Sequence, residues 1–80
     1  MKVDHKIYFE NVGANIKKLR QEQGLSQQKL ADKCDKVDRA KISDIENAKE
    51  DFMLSTLIEI CEALEVNLAE ITENRASKLL

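Results

Sequence analysis

The chain has no proline, no tryptophan and only two glycines, Gly13 and Gly24, among its 80 residues. Strands joined by tight hairpins need more turn residues than that, so the scarcity argues against a sheet-rich fold and for helices throughout. Histidine occurs once, as His5 in a polar terminal stretch, and a single imidazole without metal-type spacing offers no zinc ligand set. The two cysteines, Cys34 and Cys61, are isolated on apolar faces. In a reducing compartment they pack as small hydrophobes rather than forming a disulfide. Long apolar runs are missing too. The longest uncharged stretch, Phe52 to Ile58, falls far below the roughly 20 residues of a membrane span. The opening "MKVDHKIYFEN" mixes charges throughout and lacks the apolar core of a signal peptide. These absences predict a cytoplasmic protein with no membrane segment, no metal and no cofactor.

Hydrophobic residues supply 42% of the chain and charged residues 35%, a globular rather than a disordered balance. Residues 1–80 are expected to form a single domain. A chain of this size buries only about 60% of the surface that its unfolded form exposes, enough for one core with little left for a substrate cleft. No nucleophile–base set, phosphate loop or metal cluster stands out in the sequence, so an enzyme is not expected.

Helical periodicity organises the rest. Phe9, Val12, Ile16 and Leu19 recur at steps of three and four and mark one apolar stripe running to about Gln23. Gly24 then ends the first helix, as glycine commonly does. Ser26 is a good N-cap for a second helix, "QQKLADKC", with Leu30, Ala31 and Cys34 facing inward. Asp35 to Asp38 make a short turn, and Asp38 can cap a third helix, "RAKISDIEN", anchored by Ile42 and Ile45. A fourth helix over about Leu54 to Leu64 is expected to bury Leu54, Leu57, Ile58, Cys61 and Leu64. Asn67 with Glu70 three residues later forms a capping box opening a short fifth helix through about Glu73. Short tails, 1–8 and 74–80, are expected to fray. The prediction is a compact all-α bundle of five helices.

The third helix buries only two isoleucines and turns the rest outward. Helix, short turn, helix, with a small residue in the first and a polar outer face on the second, is the helix-turn-helix arrangement, placed here at about 26–47. Ala31 leaves space for two helices to cross closely, and Val37 pins the turn to the core. The segments "LSQQKLADKC…VDRAKISDIEN" and "FMLSTLIEICEALEVNLAEI" resemble the Xre family, the class of phage repressor and Cro proteins, over roughly Val12 to Thr72. Without a second, sensor domain the chain is similar to the small members: Cro-like repressors, controller proteins of restriction–modification systems, and some antitoxins. The "DRAKIS" start of the third helix leans toward the controllers.

The resemblance implies roles by position. Arg39, Ala40 and Asp44 fall where the family's recognition helix reads base edges, and Ser43 and Lys41 flank that surface. Gln27 falls where the family contacts the DNA backbone, as do Asn47 and Lys49. Arg20 and Glu46 match a pair that forms a buried salt bridge in the family. Three positions depart from the pattern. The turn "DKVD" is one residue longer than in the shortest repressors, with Asp35 in place of a common glycine. Ala48 and Glu50 stand where the family often has glycine and a basic residue.

The chemistry of these residues suits such roles. Arginine grips guanine O6 and N7 with two hydrogen bonds, worth about 1–3 kcal/mol of discrimination. Ala40 can rest against a thymine methyl. Asp44 can accept from cytosine N4, or pair within the chain with Lys41 or Arg39. Charge geography agrees. The formal net charge is -2, yet residues 17–49 carry nine basic and six acidic side chains, while residues 50–73 carry seven acidic ones and no basic one. A polyanionic duplex would meet the first region and be repelled by the second.

The leading expectation is therefore a transcriptional regulator that binds double-stranded DNA as a homodimer on an inverted-repeat operator. The fifth helix, around Leu68 and Ile71, is the expected dimer surface, with Leu79 and Leu80 as candidate additions to it. The alternative is an antitoxin or protein-binding module that holds a partner protein through the acidic surface of the fourth and fifth helices.

Overall fold

The computed structural model describes residues 5–49 and 51–73. Five helices follow one another: α1 (His5–Glu22), α2 (Gln27–Asp32), α3 (Arg39–Glu46), α4 (Leu54–Leu64) and α5 (Leu68–Thr72), with no strand among the described residues. The all-helical five-helix bundle is thus present. Its first helix starts earlier than expected: residues 5–8, assigned above to a frayed tail, are helical. Residues 74–80, which include Leu79 and Leu80, lie outside the described residues, as does Glu50.

The core is built from all five helices. Ile16 of α1, Leu30 of α2, Ile42 and Ile45 of α3, Ile60 and Leu64 of α4, and Ile71 of α5 are fully buried. α1 is the spine, packing on both α3 and α5, and α2 packs on α3. Phe9 and Phe52 add an edge-to-face ring contact at 5.2 Å between α1 and the segment before α4. Cys61 is buried and Cys34 half-buried, both as free thiols, and removal from water raises the pKa of each.

Two expectations are corrected here. Leu54 and Ile58 do not face the core: they are 59% and 45% exposed, and Ile60 takes the interior position instead. Both stripes obey helical spacing, but Leu57, Ile60, Cys61 and Leu64 form the one that meets the rest of the bundle. Ile71, expected at a dimer surface, has 0% exposure and completes the chain's own core, which leaves Leu68 at 36% as the large apolar residue that α5 shows to solvent. A five-residue helix has one inward face, and Ile71 occupies it.

Short helices leave many backbone groups to be satisfied at their ends, and the chain solves this three times in the same way. After α1, Gly24 N–H donates to Gln21 O and Leu25 N–H to Arg20 O, both at 3.0 Å. After α3, Ala48 and Lys49 donate back to Ile45 and Asp44, and after α4, Glu65 and Val66 donate back to Glu62 and Cys61. Each is a Schellman closure, and each places its pivot residue in the left-handed region: Gly24 at φ 71°, Ala48 at 53° and Glu65 at 59°. α5 ends differently. The side-chain amides of Asn11 and Asn15 donate to Glu73 O at 2.8 Å each, and Asn15 also reaches Ile71 O at 2.9 Å. At its start, the expected capping box between Asn67 and Glu70 is closed in both directions.

Gly13 serves close approach rather than a turn. A Cβ there would stand 2.3 Å from Ile45 O and 3.0 Å from Glu46 O, so the absence of a side chain lets α1 lie directly on the end of α3.

Two stability predictions follow from this geometry. Glu65→Gly relieves a left-handed residue and should stabilise the fold by about 0.5–1 kcal/mol, whereas Gly24→Ala, whose new methyl meets open space, should cost about 1 kcal/mol through the backbone alone. Thermal melts of the two variants should therefore shift in opposite directions. Gly13→Ala should cost more than its helix propensity returns, with a net loss of about 1–3 kcal/mol from overpacking. On a domain this small the loss should lower the melting temperature by roughly 4–8 °C per kcal/mol.

Candidate nucleic-acid interface

Ser26 starts α2: its Oγ accepts from Lys29 N–H at 3.0 Å. Asp38 does the same for α3, accepting from Lys41 N–H at 2.8 Å. Between the two helices the turn is pinned from both sides. Val37 is buried as expected, and Lys36 N–H donates to a Glu59 carboxylate oxygen on α4 at 2.5 Å. Ala31, also buried, sits in α2, which packs on α3. The motif thus has its angle set by the small Ala31, by capping and by contacts to α4.

α3 divides cleanly by face. Ile42 and Ile45 are fully buried. Arg39, Ala40 and Asn47 are exposed, and Lys41, Ser43 and Asp44 are half-exposed. Arg39 has no ion pair among the described residues, so its guanidinium is available at the N-terminal end of the helix. Asn47 is partly committed: its amide donates to Ser43 O at 2.9 Å and approaches Ser43 Oγ at 3.4 Å. Lys49, just after the turn, is exposed. The structure therefore brings the predicted α3 residues onto one accessible surface and leaves the anchoring isoleucines behind it.

One carboxylate holds this surface to the rest of the molecule. Glu46, at the last turn of α3, accepts from Arg20 Nε at 2.7 Å and from Arg20 Nη2 at 3.0 Å, a two-pronged pair whose side chains are 2% and 9% exposed. Arg20 Nη1 also donates to Leu25 O at 2.8 Å, binding the link between α1 and α2. The hydrogen bond to Glu46 raises the Arg20 pKa against the opposing effect of burial. The same Glu46 oxygen takes a third donor, Gln27 Nε2 at 3.1 Å. Gln27 thus stands at the first position of α2 with its side chain oriented by the salt bridge. The Arg20–Glu46 pair was legible in the sequence; the tie to Gln27 was not, because nothing in the spacing of residues 27 and 46 brings them together.

Other polar contacts of the frame also escaped sequence reasoning. Asn11 and Asn15 stand beside the apolar stripe of α1 and cap α5 from 56 or more positions away. Gln23 Nε2 similarly donates to Leu64 O at 2.7 Å, joining the end of α1 to the end of α4. For Asn11 and Asn15 the signal was an amide beside the apolar stripe, at positions the structure buries; exposed Gln23 carried none. Among the described residues no group of acidic, histidine or cysteine side chains is arranged to hold a metal, and no helix is long and apolar enough to cross a membrane.

Comparison with known proteins agrees with this geometry. The helix-turn-helix family model matches residues 16–71. No curated protein matches the chain. Among solved structures, a hypothetical transcription factor NHTF from Neisseria superimposes with a TM-score of 0.82 at 25% identity, over 96% of this chain and 87% of that one. The match runs from the core of α1 to the last buried residue of α5, and it contains both the capped helix pair and the carboxylate that fastens it. The chain belongs to the Xre/Cro–C1-type helix-turn-helix family of DNA-binding regulators.

Proposed function

We propose that this regulator recognises a specific double-stranded sequence as a dimer, on an inverted-repeat operator, in the cytoplasm. The observation that carries the reading is the outer face of α3, where Arg39 and Ala40 are exposed and Ser43 and Asp44 half-exposed while the isoleucines behind them are sealed in the core. The N-terminal end of the recognition helix is the end that repressor-type proteins insert into the major groove. Arg39 reads guanine, Ala40 packs on a thymine methyl, and Asp44 selects cytosine; Ser43 lies beside them. Gln27, Lys41, Asn47 and Lys49 hold the DNA backbone. Orientation of Gln27 by Glu46 supports its part, because a fixed amide at a helix start needs no reordering on contact. One recognition helix reads only a few base pairs, and two-fold pairing doubles that.

The mutational test separates base reading from backbone holding. Arg39→Ala should weaken specific binding by about 1–3 kcal/mol and relax preference at one base pair in each half-site, because only a base edge carries identity. Lys49→Ala should weaken specific and non-specific binding about equally. Competition binding on a randomised operator library reads both. An equal loss of specific and non-specific affinity in Arg39→Ala would remove it from base readout.

Salt offers a second test. With about four to eight phosphates neutralised per dimer, log affinity should fall with log salt at a slope of several units. A flat dependence would mean that the basic region is not the docking surface.

A further inference from the structure

We infer that Glu59, a carboxylate on α4, is a positioning residue for sequence-specific binding: it fastens the turn between α2 and α3 and so fixes how α3 is presented. This inference rests on the base-reading role given to α3 above, and it adds to that role a residue outside the contact surface. The turn "DKVD" has little backbone bonding of its own. The bonds that close α2 end with Cys34 N–H on Ala31 O, and those of α3 begin at Asp38. Of the N–H groups of residues 35–38, that of Lys36 is the one with a hydrogen bond among the described residues, and its acceptor is the Glu59 carboxylate at 2.5 Å.

The turn therefore has two anchors. Val37 buries its side chain in the core, and one residue earlier Lys36 gives its N–H to α4. Cys34 also senses the carboxylate: burial first and the Glu59 charge second raise its thiol pKa. A charged acceptor makes the stronger class of hydrogen bond. Two residues after Lys36 stands Asp38, the cap of α3, and Arg39 follows it as the first residue of the helix. A shift of the turn is thus handed directly to the residues that read bases. Such a constellation has to be held within about 0.5 Å of its productive geometry by groups behind it.

The sign of the charge makes this role separable from electrostatics. Glu59 belongs to the acidic stretch 50–73, which a duplex repels, so by charge alone its removal should strengthen every DNA complex. As the fastening of the turn, its removal should weaken the specific complex. Glu62 provides the comparison. It lies three residues further along α4 and lines the same surface hollow as Lys36, Val37 and Glu59, yet its side chain takes no hydrogen bond from the turn among the described residues. Its removal changes the charge of the same surface and leaves the turn fastened.

The test compares the full native chain with Glu59→Ala, Glu59→Asp, Glu59→Gln and Glu62→Ala. Competition binding to a duplex selected from a randomised library and to unrelated duplex gives the specific and non-specific affinities. Amide hydrogen exchange of each free protein reads the Lys36 N–H, and circular dichroism checks folding. Glu59→Ala should weaken specific binding by about 3- to 30-fold while non-specific binding holds or rises. Base preference should flatten across the whole half-site, not at one base pair as in Arg39→Ala, and Lys36 should exchange faster. Glu59→Asp keeps the charge and withdraws the acceptor by one methylene, so it should also lose specific affinity; it decides the question if the alanine variant does not fold. Glu59→Gln still accepts from Lys36 N–H and should keep native specific binding or better, as should Glu62→Ala. A merely destabilised fold would lower both affinities by the same factor. The inference is overturned if Glu59→Ala raises both affinities together, as Glu62→Ala does, or leaves Lys36 exchange unchanged. A native chain with no preference among duplexes would defeat the base-reading role of α3, and Lys36 exchange would then decide by itself whether Glu59 holds the turn.

Discussion

Glu46 is nearly sealed from water, and its carboxylate takes three hydrogen bonds from two residues on two other helices. A carboxylate withdrawn from solvent is tolerable only when its partners are all in place. That requirement turns one side chain into a constraint on three elements. Arg20 brings α1 and, through Leu25 O, the link to α2. Gln27 brings the start of α2 itself. The angle between the two helices of the motif is therefore set partly by a charge that has nowhere else to go. Removing one partner of such a buried pair typically costs about 3–5 kcal/mol, which says more about the penalty of an orphaned ion than about net stability gained.

Glu46 can stand where it does because Gly13 lets α1 approach the end of α3 so closely. The residue that terminates α3, Ala48, then folds the chain back in the left-handed region and sends Lys49 outward. These local choices determine which atoms of α3 face solvent. A base-reading role for Arg39 depends on them indirectly: the guanidinium is useful at the helix start only if the helix is presented at a fixed angle. The frame contributes rigidity through polar contacts at helix ends, where five helices, four of them of 11 residues or fewer, would otherwise leave backbone groups unmet.

The acidic half of the chain also has a structural part. Glu59 accepts from the backbone of the motif's turn, so α4 steadies the DNA-binding unit while carrying charge of the sign that a duplex repels. Under the docking proposed above, separation of charge along the chain would orient the molecule, because a duplex attracts the basic region and repels the acidic one.

The sequence by itself determined the fold class, the order of the helices, the motif and the caps. It could do so because these depend on contacts within one or two turns: apolar spacing at three and four, Ser26 and Asp38 before their helices, Asn67 paired with Glu70. Arg20 and Glu46 were recognisable because their family position is distinctive. Tertiary structure alone decided the remainder. Two apolar stripes on α4 satisfy helical periodicity equally, and only the packing of the bundle buried Ile60 and left Leu54 and Ile58 outside. Ile71 and Leu68 differ by three residues, and the position of α1 made one core and the other surface. Asn11 and Asn15 found their acceptors on α5, and Gln27 found Glu46, across separations that no local spacing encodes. Periodicity reports that a helix has an apolar side; which way that side turns is settled only when the other helices arrive.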